Sequence, residues 1–318
     1  MQILHSFLPC SFIEEIQEIN PMENINGIIV IDKESDYTSH DVVARVRKIL
    51  STRKVGHTGT LDPMATGVLP VCIGKGTKVS DLLTNGDKEY IATIKLGIVT
   101  DTQDITGNVL SEKEVADFTS EKLSDAIKHF TGEISQIPPM YSAIKIDGKK
   151  MCDLAREGIE VERKPRVVNI YSIDVLSFCE DGFKAKVKCS KGTYIRTLFH
   201  DMGQYLGYGA CITTLQRTAS SVFDIQDAVT LSELEKIVLE NNLSSVLKPI
   251  DAVFDKYEKI FVNDEIKTRL KNGAPSTVPH SLGTYRVYDR NGEFIAVGKV
   301  DFINGRNKIS VVKYFGEN

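Results

Sequence analysis

The period of the hydrophobic pattern changes several times along the chain, and each change marks an element. Gly27–Asp32 (GIIVID) is a continuous apolar run, suited to a strand in a buried position. Val42, Val46 and Ile49 then recur at helical spacing. Thr38-x-x-Asp41 resembles a capping box, so a helix opens at Thr38 or Ser39. Tyr90–Ile98 alternates as a strand, with Tyr90, Ala92, Ile94 and Leu96 on one face. The polar stretch TDTQDITG that follows reads as a turn region. Leu123, Ile127 and Phe130 predict a helix over Ser120–Phe130, which Gly132 can end. Residues 183–190 alternate cleanly: Phe183, Ala185, Val187 and Cys189 share one face, and Lys184, Lys186 and Lys188 the other. Helices are predicted over Thr197–Leu206, closed by Gly207, and from Ser232, where Ser232-x-x-Glu235 is a second capping-box sequence. Residues 251–318 look different: a helix at Asn263–Leu270, then Gly273, then short strands at 284–289, 294–300 and 308–314.

Strands and helices are interspersed without a regular βαβ rhythm, which points to an α+β fold. A chain of 318 residues exceeds the size at which one core stops growing, so more than one domain is expected. The divisions fall at 1–26, an extension; 27–250, the main domain; and 251–318, a small module. No apolar run approaches the ~18–20 residues that span a bilayer. Six cysteines (Cys10, Cys72, Cys152, Cys179, Cys189 and Cys211) form no Cys-x-x-Cys pair and no cluster with zinc spacing. They read as small buried residues of a cytoplasmic protein, with no metal and no disulfide framework implied.

The formal net charge is −4. Residues 1–26 contribute Glu14, Glu15, Glu18 and Glu23 and no Lys or Arg, so the remaining chain is formally neutral. Any polyanion must therefore be met by local patches. Residues 141–196 supply one, with twelve basic against eight acidic residues. The first 21 residues lack a basic n-region and are a poor secretory signal. They are expected to pack little and to add nothing to activity, with Met22 a candidate start. The rival reading is a docked helix covering an apolar patch with Phe12, Ile16 and Ile19.

The densest chemistry lies in GHTGTLDPMATGVL (56–69). Glycines at 56, 59 and 67 permit unusual backbone angles. Pro63 fixes its own φ and pushes Asp62 toward an extended conformation. A carboxylate stiffened on both sides suits a nucleophile, although a turn Asp in an Asp-Pro step is common. Gly74-Lys-Gly-Thr-Lys78 matches neither nucleotide-loop pattern, so ATP and NAD are excluded as cofactors.

This loop, with the Pro70 that follows it, closely resembles the catalytic loop of the TruB-type pseudouridine synthases, in the stand-alone bacterial form. The related RNA-guided enzymes of the dyskerin type share its Gly-His-x-Gly-x-Leu-Asp-Pro core. Ser-Lys-Gly-Thr-Tyr-Ile-Arg-Thr (190–197) and Gly-Ala-Cys-Ile-Thr-Thr-Leu-Gln-Arg-Thr (209–218) also resemble family sequence. The resemblance implies a mixed catalytic sheet with the active site in a cleft, a small C-terminal PUA-type RNA-binding module, and isomerisation of the T-loop uridine of transfer RNA. No cofactor, metal or membrane is implied, and the expected form is a monomer.

The same resemblance assigns roles. Asp62 is the nucleophile or the base at the sugar; the family's covalent and glycal routes both need it. Arg196 keeps it ionised, offsetting a burial that alone could raise a carboxylate pKa by up to ~3–5 units. Tyr90, by its residue pattern a core or edge tyrosine, becomes the tyrosine that contacts the base. His57, Tyr194 and Leu215 become RNA or pocket contacts, and Asp104 a residue near the cleft that equally suits a turn cap. Lys33, in the family's N-terminal motif, is carried over as an RNA contact, with Glu34 and Asp36 where proline and glycine are usual. Asp36 tolerates the left-handed turn better than most residues. Lys145, Lys149 and Lys150, beside Pro-Pro-Met-Tyr-Ser-Ala, are read as a phosphate track, against the ordinary reading of a solvated face. A non-catalytic RNA chaperone and an RNA-guided subunit are the alternatives.

Overall fold

A computed structural model describes residues 25–146 and 148–317, with Lys150 described by its backbone alone. The expectations for residues 1–24, including the Met22 start and the helix with Phe12, Ile16 and Ile19, lie outside the described residues.

The first part of the chain runs β1 (Gly27–Lys33), α1 (Ser39–Ile49), β2 (Val55–His57), β3 (Thr66–Ile73), α2 (Ser80–Thr84), β4 (Lys88–Leu96), β5 (Ile98–Thr100) and β6 (Val109–Glu112). It continues through α3 (Ser120–Phe130), β7 (Gly132–Gln136), β8 (Lys145–Ile146), β9 (Lys149–Lys150), α4 (Met151–Arg156), β10 (Arg166–Cys179), β11 (Gly182–Cys189), α5 (Ile195–Leu206), β12 (Ala210–Ser220), β13 (Phe223–Asp224), β14 (Ala228–Val229) and α6 (Leu231–Leu239). Ten of these strands form one mixed sheet in the order β14-β1-β3-β12-β4-β11-β10-β7, with β2 added to β3 and β13 to β12. The β1–β14 and β3–β12 pairs are parallel.

The unbroken apolar run of β1 has a simple cause. Strand side chains alternate between faces. Ile29 and Ile31 enter the main core with Leu69, Val71 and Val42, while Ile28 and Val30 enter a second core on the opposite face. The second core holds Val68, Cys72, Ile250, Val253, Phe254, Val297 and Phe315.

The last two of these belong to the C-terminal part, and they tie it to the sheet. That part comprises β15 (Glu258–Phe261), α7 (Asp264–Lys271), β16 (Ser276–Thr277), β17 (Gly283–Tyr288), β18 (Phe294–Ile303) and β19 (Arg306–Tyr314). Its strands form a five-stranded sheet in the order β15-β17-β18-β19-β16. It has a small core of its own around Val287, Ile295, Ala296 and Ile309. No linker separates it from the main sheet, because the 3-10 turn Ile250–Phe254 is itself buried in the shared core. Phe315 is 2% exposed and stacks near Phe294, with ring centroids 5.1 Å apart. Phe315→Ala should therefore destabilise the chain by about 3–5 kcal/mol. Denaturant unfolding followed by two probes should show one shifted transition; an unshifted one, or separate transitions for the two sheets, would contradict a common core.

The structure corrects several boundaries. The cap of α6 lies two residues before the expected Ser232: Thr230 caps the helix and exchanges hydrogen bonds with Glu233. That phase turns Leu231, Leu234 and Val238 inward, and Glu235 pairs instead with Arg45 on α1 at 2.5 Å. The strand expected to reach Ile98 breaks at Gly97, whose φ is +82°, and Ile98 starts β5. α5 begins at Ile195 and ends on Gly207 in the left-handed conformation. Among the described residues, no helix is long and apolar enough to cross a membrane.

Candidate active site

Asp62 lies on the loop between β2 and β3, and several groups hold that loop. The Leu61 amide donates to Ser39 Oγ at the start of α1 (2.9 Å), and the Asp36 amide donates to the Pro63 carbonyl (2.9 Å). Asp36 has a φ of +69°, so it makes the left-handed turn in place of the family's glycine. Gly67, at φ +99°, closes the loop against β12, where a Cβ would collide with the Arg217 carbonyl. Any other residue there would displace the strand that carries the opposite wall of the cleft.

Lys33 is fully buried beneath this loop. Its ammonium donates to the carbonyls of Glu34 (2.9 Å), Tyr37 (2.6 Å) and Pro63 (3.0 Å). Burial pushes its pKa down to about 8, against the opposing pull of Asp62. The expected RNA contact at Lys33 is therefore corrected: with no exposed surface, it braces the loop.

Arg196 sits in the first turn of α5 and is 4% exposed. Its Nε lies 2.9 Å from Asp62 Oδ2, and its Nη2 donates to Asp62 Oδ1 at 3.2 Å. Its two Nη groups also donate to the carbonyls of Thr102 (2.7 Å) and Tyr141 (2.8 Å), and to Asp104 Oδ2 (3.4 Å). Asp104 is 4% exposed, and its Oδ1 accepts from Thr102 Oγ1, Thr106 Oγ1 and the Thr106 amide. It is thus a turn cap that also fixes Arg196, and its burial keeps it from RNA. Asp62 keeps 34% of its side chain open to the cleft. The guanidinium is immobilised from behind and holds one accessible carboxylate in front.

The cleft has a cavity volume of about 320 Å³, within the range of roughly 300–1,000 Å³ typical of ligand sites. Asp62, Tyr90, Tyr194, Arg196, Leu215 and Arg217 are among the residues lining it. Tyr90 projects from β4, and burial raises its phenol pKa against the lowering effect of Arg217. Tyr194 caps α5, and its backbone exchanges two hydrogen bonds with the Gln136 amide (3.1 and 3.2 Å). Leu215, on β12, is 6% exposed and gives an apolar wall.

His57, on β2, is half-buried beside the loop, edge-to-face with His40 at 5.4 Å. Burial, and then the charges of His40 and Arg217, push its pKa from 6.5 to about 4, so the ring is neutral at pH 7. A depressed folded-state value contributes stability that is present above pH 6.5 and lost as pH falls through 4. Wild type should therefore lose stability relative to His57→Asn across that window. Parallel unfolding curves of the two proteins against pH would contradict a buried neutral His57.

Two cleft residues escaped the sequence reading. Arg217 is 1% exposed and donates to the carbonyls of Val68 (2.7 Å) and Gly59 (3.2 Å), tying both arms of the Asp62 loop to β12. Lys88, with 7% exposure, donates to the carbonyls of Thr84 (2.6 Å) and Gly86 (2.5 Å). Their only sequence signal was a cation at an inward position of a strand. Lys145 and Lys149 stand exposed on the β8–β9 hairpin, outside the residues lining the cleft.

Residues 47–195 match the family model of the TruB family pseudouridylate synthase N-terminal domain, and residues 196–255 that of the tRNA pseudouridylate synthase B C-terminal domain. Curated relatives named tRNA pseudouridine synthase B include that of Clostridioides difficile (strain 630), 44% identical over 90% of this chain and 95% of its own length. That of Clostridium tetani (strain Massachusetts / E88) is 47% identical over 86% and 96%. Among solved structures, a Cbf5-Nop10-Gar1 complex matches with a TM-score of 0.69 at 28% identity, covering 95% of this chain and 92% of that one. An H/ACA RNP bound to a substrate RNA containing 2'-deoxyuridine matches with a TM-score of 0.68 at 27% identity, covering 92% and 85%. With both family models matched in sequence over a mixed pseudouridine-synthase sheet, the chain belongs to the TruB family of tRNA pseudouridine synthases.

Proposed function

We propose that this isomerase acts on the T loop of transfer RNA, at the uridine conventionally numbered 55. The observation that carries this reading is Asp62, the one carboxylate among the described residues lining the cleft, met at both oxygens by a buried arginine. Asp62 attacks C1′ or removes a proton from the sugar, and the N1–C1′ bond breaks. The uracil turns, C5 bonds to C1′, and the C5 proton is lost while N1 gains one. Atoms balance within the nucleoside, so the reaction calls for no redox partner or nucleotide cofactor.

Tyr90 lies against the base and can relay the C5 proton. Tyr194 and Leu215 bound the uracil. Extruding the base costs a few kcal/mol. The neutral ring of His57 offsets part of this by stacking in the gap, at ~1–3 kcal/mol per base. Lys145, Lys149 and Lys150 on the hairpin contact phosphates, and the C-terminal sheet acts as a PUA-type module that extends the RNA surface. The protein works as a cytoplasmic monomer, and chaperoning of transfer RNA can accompany the chemistry. The purified protein, given unmodified transfer RNA and no guide RNA, should place pseudouridine in the T loop by mass spectrometry. Modification only with an added guide would favour the RNA-guided alternative, and binding without modification the chaperone alone.

A further inference from the structure

Arg217 has a second neighbour besides the Asp62 loop. On β12 it stands directly opposite Tyr90 of β4 in an antiparallel pair. Residues so placed share one face of the sheet, with Cβ atoms about 4.5–5.5 Å apart. Both line the cleft with Asp62. On its other flank Tyr90 is opposite Val187 of β11, whose side chain offers the phenol no hydrogen bond. The guanidinium is fixed by three carbonyls: Val68 at Nε (2.7 Å), Thr60 at Nη1 (3.5 Å) and Gly59 at Nη2 (3.2 Å). Among the described residues it forms no ion pair with a carboxylate. Carbonyls orient a cation without neutralising it, so a whole positive charge stays in the wall of the cleft.

That charge is felt by several groups. Burial is the first cause, and Arg217 a further one, of the lowered pKa of Lys33, His57 and Lys88. At Tyr90 burial is the largest effect and raises the phenol pKa. The charge of Arg217 and its hydrogen bonding lower it, against smaller raising contributions from Cys189 and Asp62. An arginine does not give up its protons, so toward Tyr90 it can only donate. The phenol oxygen accepts, and its own hydrogen points elsewhere.

We infer that Arg217 is a positioning residue for the proton transfer at C5, fixing the Tyr90 oxygen and stabilising the negative charge that gathers on it. In that step the phenol oxygen takes the C5 proton as its own proton passes to water. The C5–H pair becomes the C5–C6 double bond, and the second pair of the C6–N1 bond moves to N1, which is protonated. A preoriented cation in a cleft of low dielectric acts most strongly at such a moment. The inference rests on the reading that Tyr90 relays the C5 proton.

The first readout needs no RNA. 3-Fluorotyrosine is placed at Tyr90 alone in the full chain, and its ¹⁹F shift is followed against pH with Arg217 intact, in Arg217→Lys and in Arg217→Gln. At a given alkaline pH the ionised fraction should fall about tenfold in Arg217→Gln, the lower end of what an adjacent opposite charge supplies. Arg217→Lys, which keeps the charge, should restore most of it. The second readout is the single-turnover rate on unmodified transfer RNA, with Arg217→Gln made alone and together with Tyr90→Phe. Arg217→Gln should slow the enzyme about tenfold more when Tyr90 is present than in the Tyr90→Phe background, the coupling expected of side chains in contact. A third readout leaves Arg217 untouched: Tyr90→Phe keeps the ring and should move the ¹⁵N resonances of the Arg217 guanidinium, which tests the contact even where the glutamine variant does not fold. An unchanged titration, unmoved guanidinium resonances, or equal rate losses in the two backgrounds would overturn the inference and leave Arg217 a brace of the Asp62 loop. Wild type that forms no pseudouridine would instead overturn the functional reading, and the RNA-free titration tells the two failures apart.

Discussion

Asp62→Asn should abolish pseudouridine formation while leaving transfer RNA binding nearly intact. The change is close to isosteric, so the loop held by Ser39, Lys33 and Arg217 keeps its shape. What is lost is the anion that Arg196 orients and the cleft exposes. An amide can neither attack the sugar carbon nor take a sugar proton, so the rate of the chemical step should fall on the order of 10⁴-fold or more. Single-turnover release of tritium from 5-³H-uridine transfer RNA, beside a filter-binding isotherm, reads both quantities. Turnover within about tenfold of wild type, a barrier change of only ~1.4 kcal/mol, would remove Asp62 from the chemistry.

Arg196→Lys keeps the charge but loses the planar fork. An ammonium has three hydrogens to distribute where the guanidinium meets Asp62, Asp104, Thr102 and Tyr141. Asp104, nearly fully buried, would lose a partner it cannot replace with water. Two effects are expected together: a drop in melting temperature, and a fall of about 10²–10³-fold in the single-turnover rate as the carboxylate loses its orientation. RNA affinity should change far less, because Arg196 lies behind the carboxylate. A variant with normal chemistry and weakened RNA binding would instead make Arg196 a phosphate contact.

Some of this was legible in the sequence, for local reasons. The faces of α1 and β11 could be read because each element keeps one period from end to end. The stiffness of the Asp62 loop follows from Pro63 and its glycines, and its partner Arg196 lay in a second recognisable stretch. Other elements were hidden. β3 buries both faces and contains Pro70, which argues against a central strand. β10 carries two register shifts that scramble its alternation. Lys33, Lys88 and Arg217 are cations whose partners are backbone carbonyls inside the fold, contacts that their residue type does not announce. Such bonds join residues up to 158 positions apart, so no local window reveals them.

The second hydrophobic core has a consequence for how the protein is made. It joins Ile28 and Val30, at the beginning of the described chain, to Phe315, near its end. A ribosome therefore releases most of the polypeptide before the reverse face of the main sheet can be covered. Until then β1 and β3 present bare aliphatic rows to solvent, the kind of surface that holdase chaperones and proteases select. Contacts of such long separation also slow the search for the native state. A premature stop that removes Phe315 should then yield degradation fragments rather than a shortened enzyme.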